Sequence, residues 1–137
     1  MLAYSYILTH EGYPCVFWQD YYNYNLAMSG SANGIEALVE VHEKYAGGTT
    51  TVLNADDQLY MMQRNGWEGQ PGLIYVLNNS SQWAGKEVST KWINTKLKPI
   101  AYWGATDLME PAEKITDHLA QTDLWAAGRG FSVYIAI

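Results

Sequence analysis

The stretch Trp18-Gln19-Asp20-Tyr21-Tyr22-Asn23-Tyr24 gathers four polar-edged aromatic rings around one carboxylate. Rings of this kind add a hydrogen-bonding edge to a large flat face, which suits interfaces and sugar rings. The whole chain leans this way, with eleven Tyr and six Trp against two Phe, although Phe serves a core equally well. The competing explanation for any one ring is β-propensity, because strands favour Tyr and Trp. Trp67 follows the Asn65-Gly66 turn, and Trp83 lies in the polar run Asn78–Lys86. A core role is less natural for these two, so each is a candidate surface contact for a sugar.

Other reactive groups are scattered. His10, His42 and His118 are far apart and have no metal-ligand spacing. Asn54, Asp56 and Asp57 could offer oxygens to calcium, but that ion takes six to eight ligands, and "NADD" reads as a turn. Cys15, the single cysteine, excludes an internal disulfide framework and sits in an apolar run, where a buried, inert thiol is expected. None of the fourteen acids lies in a paired catalytic motif.

The 137 residues fit one domain, or a small domain with an attached fragment. With 48% apolar and 16% charged residues, the chain can build a core and is not of disordered composition. A net charge of −6 argues against nucleic acid, whose phosphates require clustered Lys and Arg. No apolar run approaches the roughly 20 residues that span a bilayer, so no membrane partner is expected. The N-terminus lacks a basic signal-peptide region, and any targeting signal is expected upstream of Met1.

Two kinds of periodicity divide the chain near residue 48. Residues 2–10 read as the last turns of a helix, and Cys15–Trp18, opened by Pro14, as a strand buried on both faces. A second helix is expected after Asn33 as N-cap, with Glu36 in capping-box spacing. Its inner face would be Ile35, Leu38, Val39, His42 and Tyr45, and Gly47 or Gly48 would end it in a left-handed turn. Lys44 is the one base against five acids through Gly47, while the remainder carries seven bases and nine acids. From Thr49 onward the pattern is short strands and turns. Strands are expected at 50–53, 58–64, 73–78, 87–92, 99–103, 114–116, 123–126 and 130–137, with Val88 and Thr90 on one face, and Phe131, Val133 and Ile135 on another. Trp92, Tyr102, Trp103 and Trp125 fall in these strands and read as core or partner-facing. About eight strands in roughly ninety residues predict an antiparallel sandwich or open barrel with Greek-key connections.

The run "AYSYILTHEGYPCVFWQDYY" resembles the last helix, strand and loop of the catalytic barrel in the α-amylase family of glycoside hydrolases. Gly12, Tyr13, Pro14, Cys15, Val16, Phe17, Asp20, Tyr21 and Tyr22 match the family pattern, with Trp18 in place of its usual Tyr and Gln19 in place of its usual Gly. "EKYAGG" resembles the end of the final barrel helix. "LYMMQRNG", "GLIYVLNN", "VSTKWINT", "PIAYWG" and "GFSVYIAI" are similar, in order, to the prokaryotic C-terminal β-domain.

The resemblance implies a mainly β chain, in which an antiparallel Greek-key β-sandwich (49–137) follows a helix-strand-helix fragment of a (β/α)8 barrel (1–48). Its start within a helical pattern fits a fragment better than a complete protein. The implied partners are the rest of the barrel and an α-glucan polysaccharide such as starch. Catalysis in that family uses two carboxylates on earlier barrel strands, so no catalytic residue is expected here and the chain alone is expected to be inactive. Trp18, Asp20, Tyr21 and Tyr22 would then line a wall of the substrate cleft, Asp20 orienting the loop, with barrel packing and backbone capping as the bland alternatives. Some amylases hold calcium between barrel and β-domain through a His-Asp pair. Thr51 and Val52 stand at those positions here, so no cofactor is expected in this chain, and calcium only in the parent enzyme. The alternatives are a stand-alone carbohydrate-binding β-module and a purely structural interaction domain.

Overall fold

The computed structural model describes residues 1–137. Its centre is a six-stranded antiparallel sheet made of β1 (Thr50–Ala55), β2 (Leu59–Arg64), β3 (Leu73–Asn78), β5 (Lys96–Trp103), β6 (Lys114–Ile115) and β8 (Gly130–Ala136). The spatial order is β1-β2-β3-β8-β5-β6, and β4 (Ala84–Ser89) pairs with β7 (Gln121–Ala126) as a separate two-stranded ribbon. All eight expected strands form, with ends that move by a few residues. The largest shift is in β4, which runs over 84–89 and leaves Trp92 in the loop beyond it.

Two helices, α1 (Leu2–Thr9) and α2 (Ile35–Tyr45), cover one face of the sheet, and the ribbon covers the other. Strand alternation sorts the core accordingly. Met62, Leu73, Tyr75, Phe131, Val133 and Ile135 meet Leu8, Ile35, Leu38 and Val41 on the helix side. Met61, Ile74, Val76, Leu97 and Tyr134 meet Val88, Leu124 and Ala126 on the ribbon side. Phe131, Val133 and Ile135 thus share one face, as their spacing predicts.

Three expectations near the N-terminus are corrected. Residues 14–18 form no strand: Tyr13–Phe17 are unpaired, and Trp18 leads into a single π-helical turn at Gln19–Asn23. A lone segment has no neighbour to complete a ladder, and apolar side chains alone do not make one. Cys15 is consequently exposed rather than buried. Asn33 does not cap α2; Gly34 takes that position without a side-chain cap. The Asn33 amide is used elsewhere, donating to the Tyr102 carbonyl at 2.8 Å while the Tyr102 N–H donates to Ala32 O at 3.0 Å. The Glu36 carboxylate accepts instead from Gly30 N at 2.9 Å. The two bonds to Tyr102 fasten the start of α2 to the margin of β5, which β6 leaves unpaired beyond Leu97. Pro99, which has no N–H to donate, occupies that same strand beside a bulge.

The buried stripe of α2 is Ile35, Leu38 and Val41, with Val39, His42 and Tyr45 half-buried. Val41 joins the stripe because α2 packs against both α1 and the sheet, which widens its covered face. Gly48 then turns the chain with φ +79, and a Cβ there would fall 2.5 Å from Gly66 N, so glycine is required on both conformational and steric grounds.

If α1 and α2 are an integral layer of this fold, Leu38→Ala will destabilise the chain by about 2–5 kcal/mol in urea unfolding, the cost of a cavity in a packed core. A negligible change would mean that the helices are a loose appendage.

Candidate functional site

Residues 13–25 leave α1, fold into the π-helical turn and return toward α2, so their side chains are only partly covered by the rest of the chain. Within this turn the rings of Trp18, Tyr21 and Tyr22 come together. The Trp18 and Tyr22 rings lie 4.2 Å apart, and Tyr21 meets Tyr22 edge-on at 4.8 Å. Trp18 is 63% exposed and Tyr22 is similarly open. Asp20 faces back to α1, where it accepts a hydrogen bond from the Tyr4 hydroxyl. That bond, with burial, raises the phenol's pKa above its ordinary value. Tyr4 was not singled out by sequence reasoning, since nothing in a helical Tyr marks it as the partner of a carboxylate sixteen residues later. The cluster therefore offers exposed ring faces and one carboxylate already tied to a phenol. It can stack on a ring; glycosidic cleavage takes two carboxylates placed across a bond.

Trp67 and Trp83 sit in separate places. Trp67, 64% exposed, lines a hollow of about 330 Å³ with His10, Glu11, Tyr13, His42, Arg64 and Gln70. Arg64 forms part of its wall and is only 4% exposed. Its Nε and Nη2 donate to Gly48 O at 3.0 and 2.6 Å, and Nη1 donates to Thr9 O at 3.0 Å. The guanidinium thus joins the end of α1 to the linker after α2. Burial lowers its pKa, opposed by the nearby Glu11.

His10 lies beside it, stacked on Tyr6 with ring centres 3.8 Å apart. Its Nδ1 donates to the Tyr6 carbonyl at 2.8 Å, which leaves Nε2 to accept from the Tyr60 hydroxyl at 2.9 Å.

Trp83 is half-buried rather than free in its loop, and its Nε1 donates to Asp107 Oδ2 at 2.6 Å. Trp125, on the β4–β7 ribbon, is not part of the buried core; it is 38% exposed. The "NADD" segment is a turn: Asp56 Oδ1 accepts from Gln58 N at 3.0 Å and Leu59 N at 2.8 Å. These bonds hold the Asp56 carboxyl well below the usual range.

No family model matches the chain. A probable α-amylase 2 of Arabidopsis thaliana is 35% identical over 63 residues, covering 44% of this chain and 14% of the relative. The crystal structure of an α-amylase from Geobacillus thermoleovorans, complexed with acarbose, superposes with a TM-score of 0.70 at 17% identity. That superposition covers 99% of this chain and 32% of the solved one. The fold is that of the C-terminal part of a bacterial α-amylase chain. This chain spans about a third of the length of that structure and a smaller share of the plant relative.

Burial lowers the His10 pKa below its ordinary 6.5, opposed by the bond to Tyr6 O and aided by Arg64. Between the folded and unfolded values the unfolded chain holds more protons, so stability rises with pH there. The melting temperature is expected to fall as pH drops below 6.5. His10→Phe, which keeps the stack, will flatten that fall, and an unchanged slope would place the titration elsewhere.

Proposed function

We propose that this chain is the C-terminal part of an α-amylase-type glycosidase that hydrolyses α-glucans such as starch. The observation that carries the reading is the superposition of nearly the whole chain on a portion of an α-amylase. In this reading residues 1–48 end a (β/α)8 barrel and residues 49–137 form the β-domain beside it. The unpaired segment Tyr13–Phe17 becomes the last barrel strand once the other strands supply its ladder. Exposed Tyr13 and Phe17 support this, since open rings on that segment call for a covering partner. The rest of the barrel is that partner. It supplies the catalytic carboxylates, and any calcium belongs to the parent enzyme.

The β-domain stabilises the barrel by presenting α1 and α2 on a rigid sheet. Trp18, Tyr21 and Tyr22 then stand in the substrate-cleft wall with Asp20 holding their loop to α1. A second reading, a carbohydrate-binding module without catalysis, is favoured by the open face of Trp67.

The deciding test is the nucleotide sequence in frame upstream of the Met1 codon. A continuous frame encoding the earlier barrel strands and their carboxylates supports the enzyme reading. A stop codon followed by a ribosome-binding site removes it in favour of the binding module. The chain by itself is expected to release no reducing sugar from soluble starch and to enhance the fluorescence of a dye that binds exposed apolar surface. Sugar release, or a dark dye, would contradict the assignment.

A further inference from the structure

The sequence contains two Asn-Gly pairs, Asn33-Gly34 and Asn65-Gly66. Such a pair can react with itself. The glycine nitrogen, once deprotonated, attacks Cγ of the asparagine, and the absent Cβ leaves its approach open. Cγ gains a bond to that nitrogen and loses its own amide nitrogen, which leaves as ammonia. Water then opens the cyclic imide at either carbonyl, giving aspartate or its isomer with the backbone running through the side chain. The dipeptide is the same at both places, so the fold decides between them.

Asn65-Gly66 is held on every side. Gly66 N–H donates to Gly47 O at 2.8 Å, and Asn65 N–H to Thr49 O at 2.9 Å. The Asn65 amide donates to Thr49 Oγ1 and Thr51 Oγ1, both at 2.9 Å, and its oxygen accepts from Gln63 Nε2 at 2.8 Å. Attack would have to break the Gly66 bond and turn the side chain out of this net.

Asn33-Gly34 differs at both reacting atoms. Gly34 N–H donates to no group of the chain, whereas the next two, Ile35 N–H and Glu36 N–H, reach Leu26 O at 2.8 Å and Ala27 O at 3.2 Å. Gly34 is buried, and a buried N–H without a protein partner is uncommon. At the other atom, Ser31 Oγ donates to Asn33 Oδ1 at 2.8 Å. A donor there draws electrons from Cγ and stabilises the oxyanion that forms as the nitrogen adds. Gly30, Ser31 and Ala32 line a hollow of about 340 Å³, which brings water beside the pair. One side-chain bond opposes reaction, from Asn33 Nδ2 to Tyr102 O at 2.8 Å.

We infer that Asn33 is a self-modification site, at which the protein loses ammonia with age, while Asn65 is spared. The reaction removes the amide donor from Tyr102 O and leaves a carboxylate facing a carbonyl. It therefore cuts one of the two bonds that fasten the start of α2 to β5, and the helix layer loosens as the chain ages. Water is the only co-reactant, and the inference stands apart from the proposed function.

The test is peptide mass mapping of the full chain stored folded in mildly alkaline buffer, with a second sample stored in urea. In the folded sample the amide-to-acid mass change is expected at residue 33 at least about tenfold faster than at residue 65. In urea the two rates are expected to converge, since only the fold separates them. Ser31→Ala is expected to slow the change at residue 33 severalfold and to leave residue 65 unaltered. Asn33→Asp, which copies one product, is expected to unfold at a lower urea concentration than the unaltered chain. Faster change at residue 65, no change at residue 33, or the same ratio of rates in urea as in the folded chain overturns the inference. So does a rate at residue 33 that Ser31→Ala leaves untouched.

Discussion

Burial of both faces of one antiparallel sheet is the constraint on which the rest of the structure depends. β3 and β8 lie side by side at its centre, and nearly every residue of both is buried. Neither face can be left to water, so the chain must supply two covers. The helices of the first 45 residues provide one, and the β4–β7 ribbon provides the other. Strands buried on both faces usually belong to parallel sheets. Here an antiparallel sheet meets the same demand because helices and ribbon shield it from opposite sides.

Polar groups then lock each cover to the sheet. On the helix side, the Tyr75 hydroxyl, 2.8 Å from Ser5 Oγ, ties β3 to α1, and Arg64 draws the carbonyls of Thr9 and Gly48 onto β2. On the ribbon side, Tyr134 and Ser132 do the corresponding work at the carbonyl of Trp125. Burial pushes the Tyr134 phenol up to about 12, so it remains a neutral donor at any ordinary pH. The position of an exposed indole thereby follows from the packing of a central strand. Asp123 adds a surface link, since Lys114 and Trp125 outweigh its burial and keep its carboxylate charged.

These two sides differ in character. The helix side ends in an open, aromatic segment at residues 13–25, whose rings and single tied carboxylate make it a surface to be covered or to stack on a ligand. On the ribbon side Trp83 and Trp125 are fixed by bonds within the domain.

Much of this was legible in the order of residues. Alternation placed Phe131, Val133 and Ile135 on one face, and turn residues such as Asn65-Gly66 separated the strands, because side-chain period and turn chemistry are local properties of the chain. The "GYPCVF" run pointed to the fold later met in a bacterial α-amylase. Only the tertiary structure decided the remainder. Cys15–Trp18 has a strand's composition but no strand, since a ladder requires a neighbour the segment itself cannot encode. Asn33 has a cap's spacing, yet its amide goes to Tyr102, a residue sixty-nine positions away. Trp125 reads as core from its strand, but it is exposed, and which ribbon residues are covered depends on which side of the ribbon meets β8. Local pattern sets what a segment can form, while long-range pairing selects which of its groups are covered.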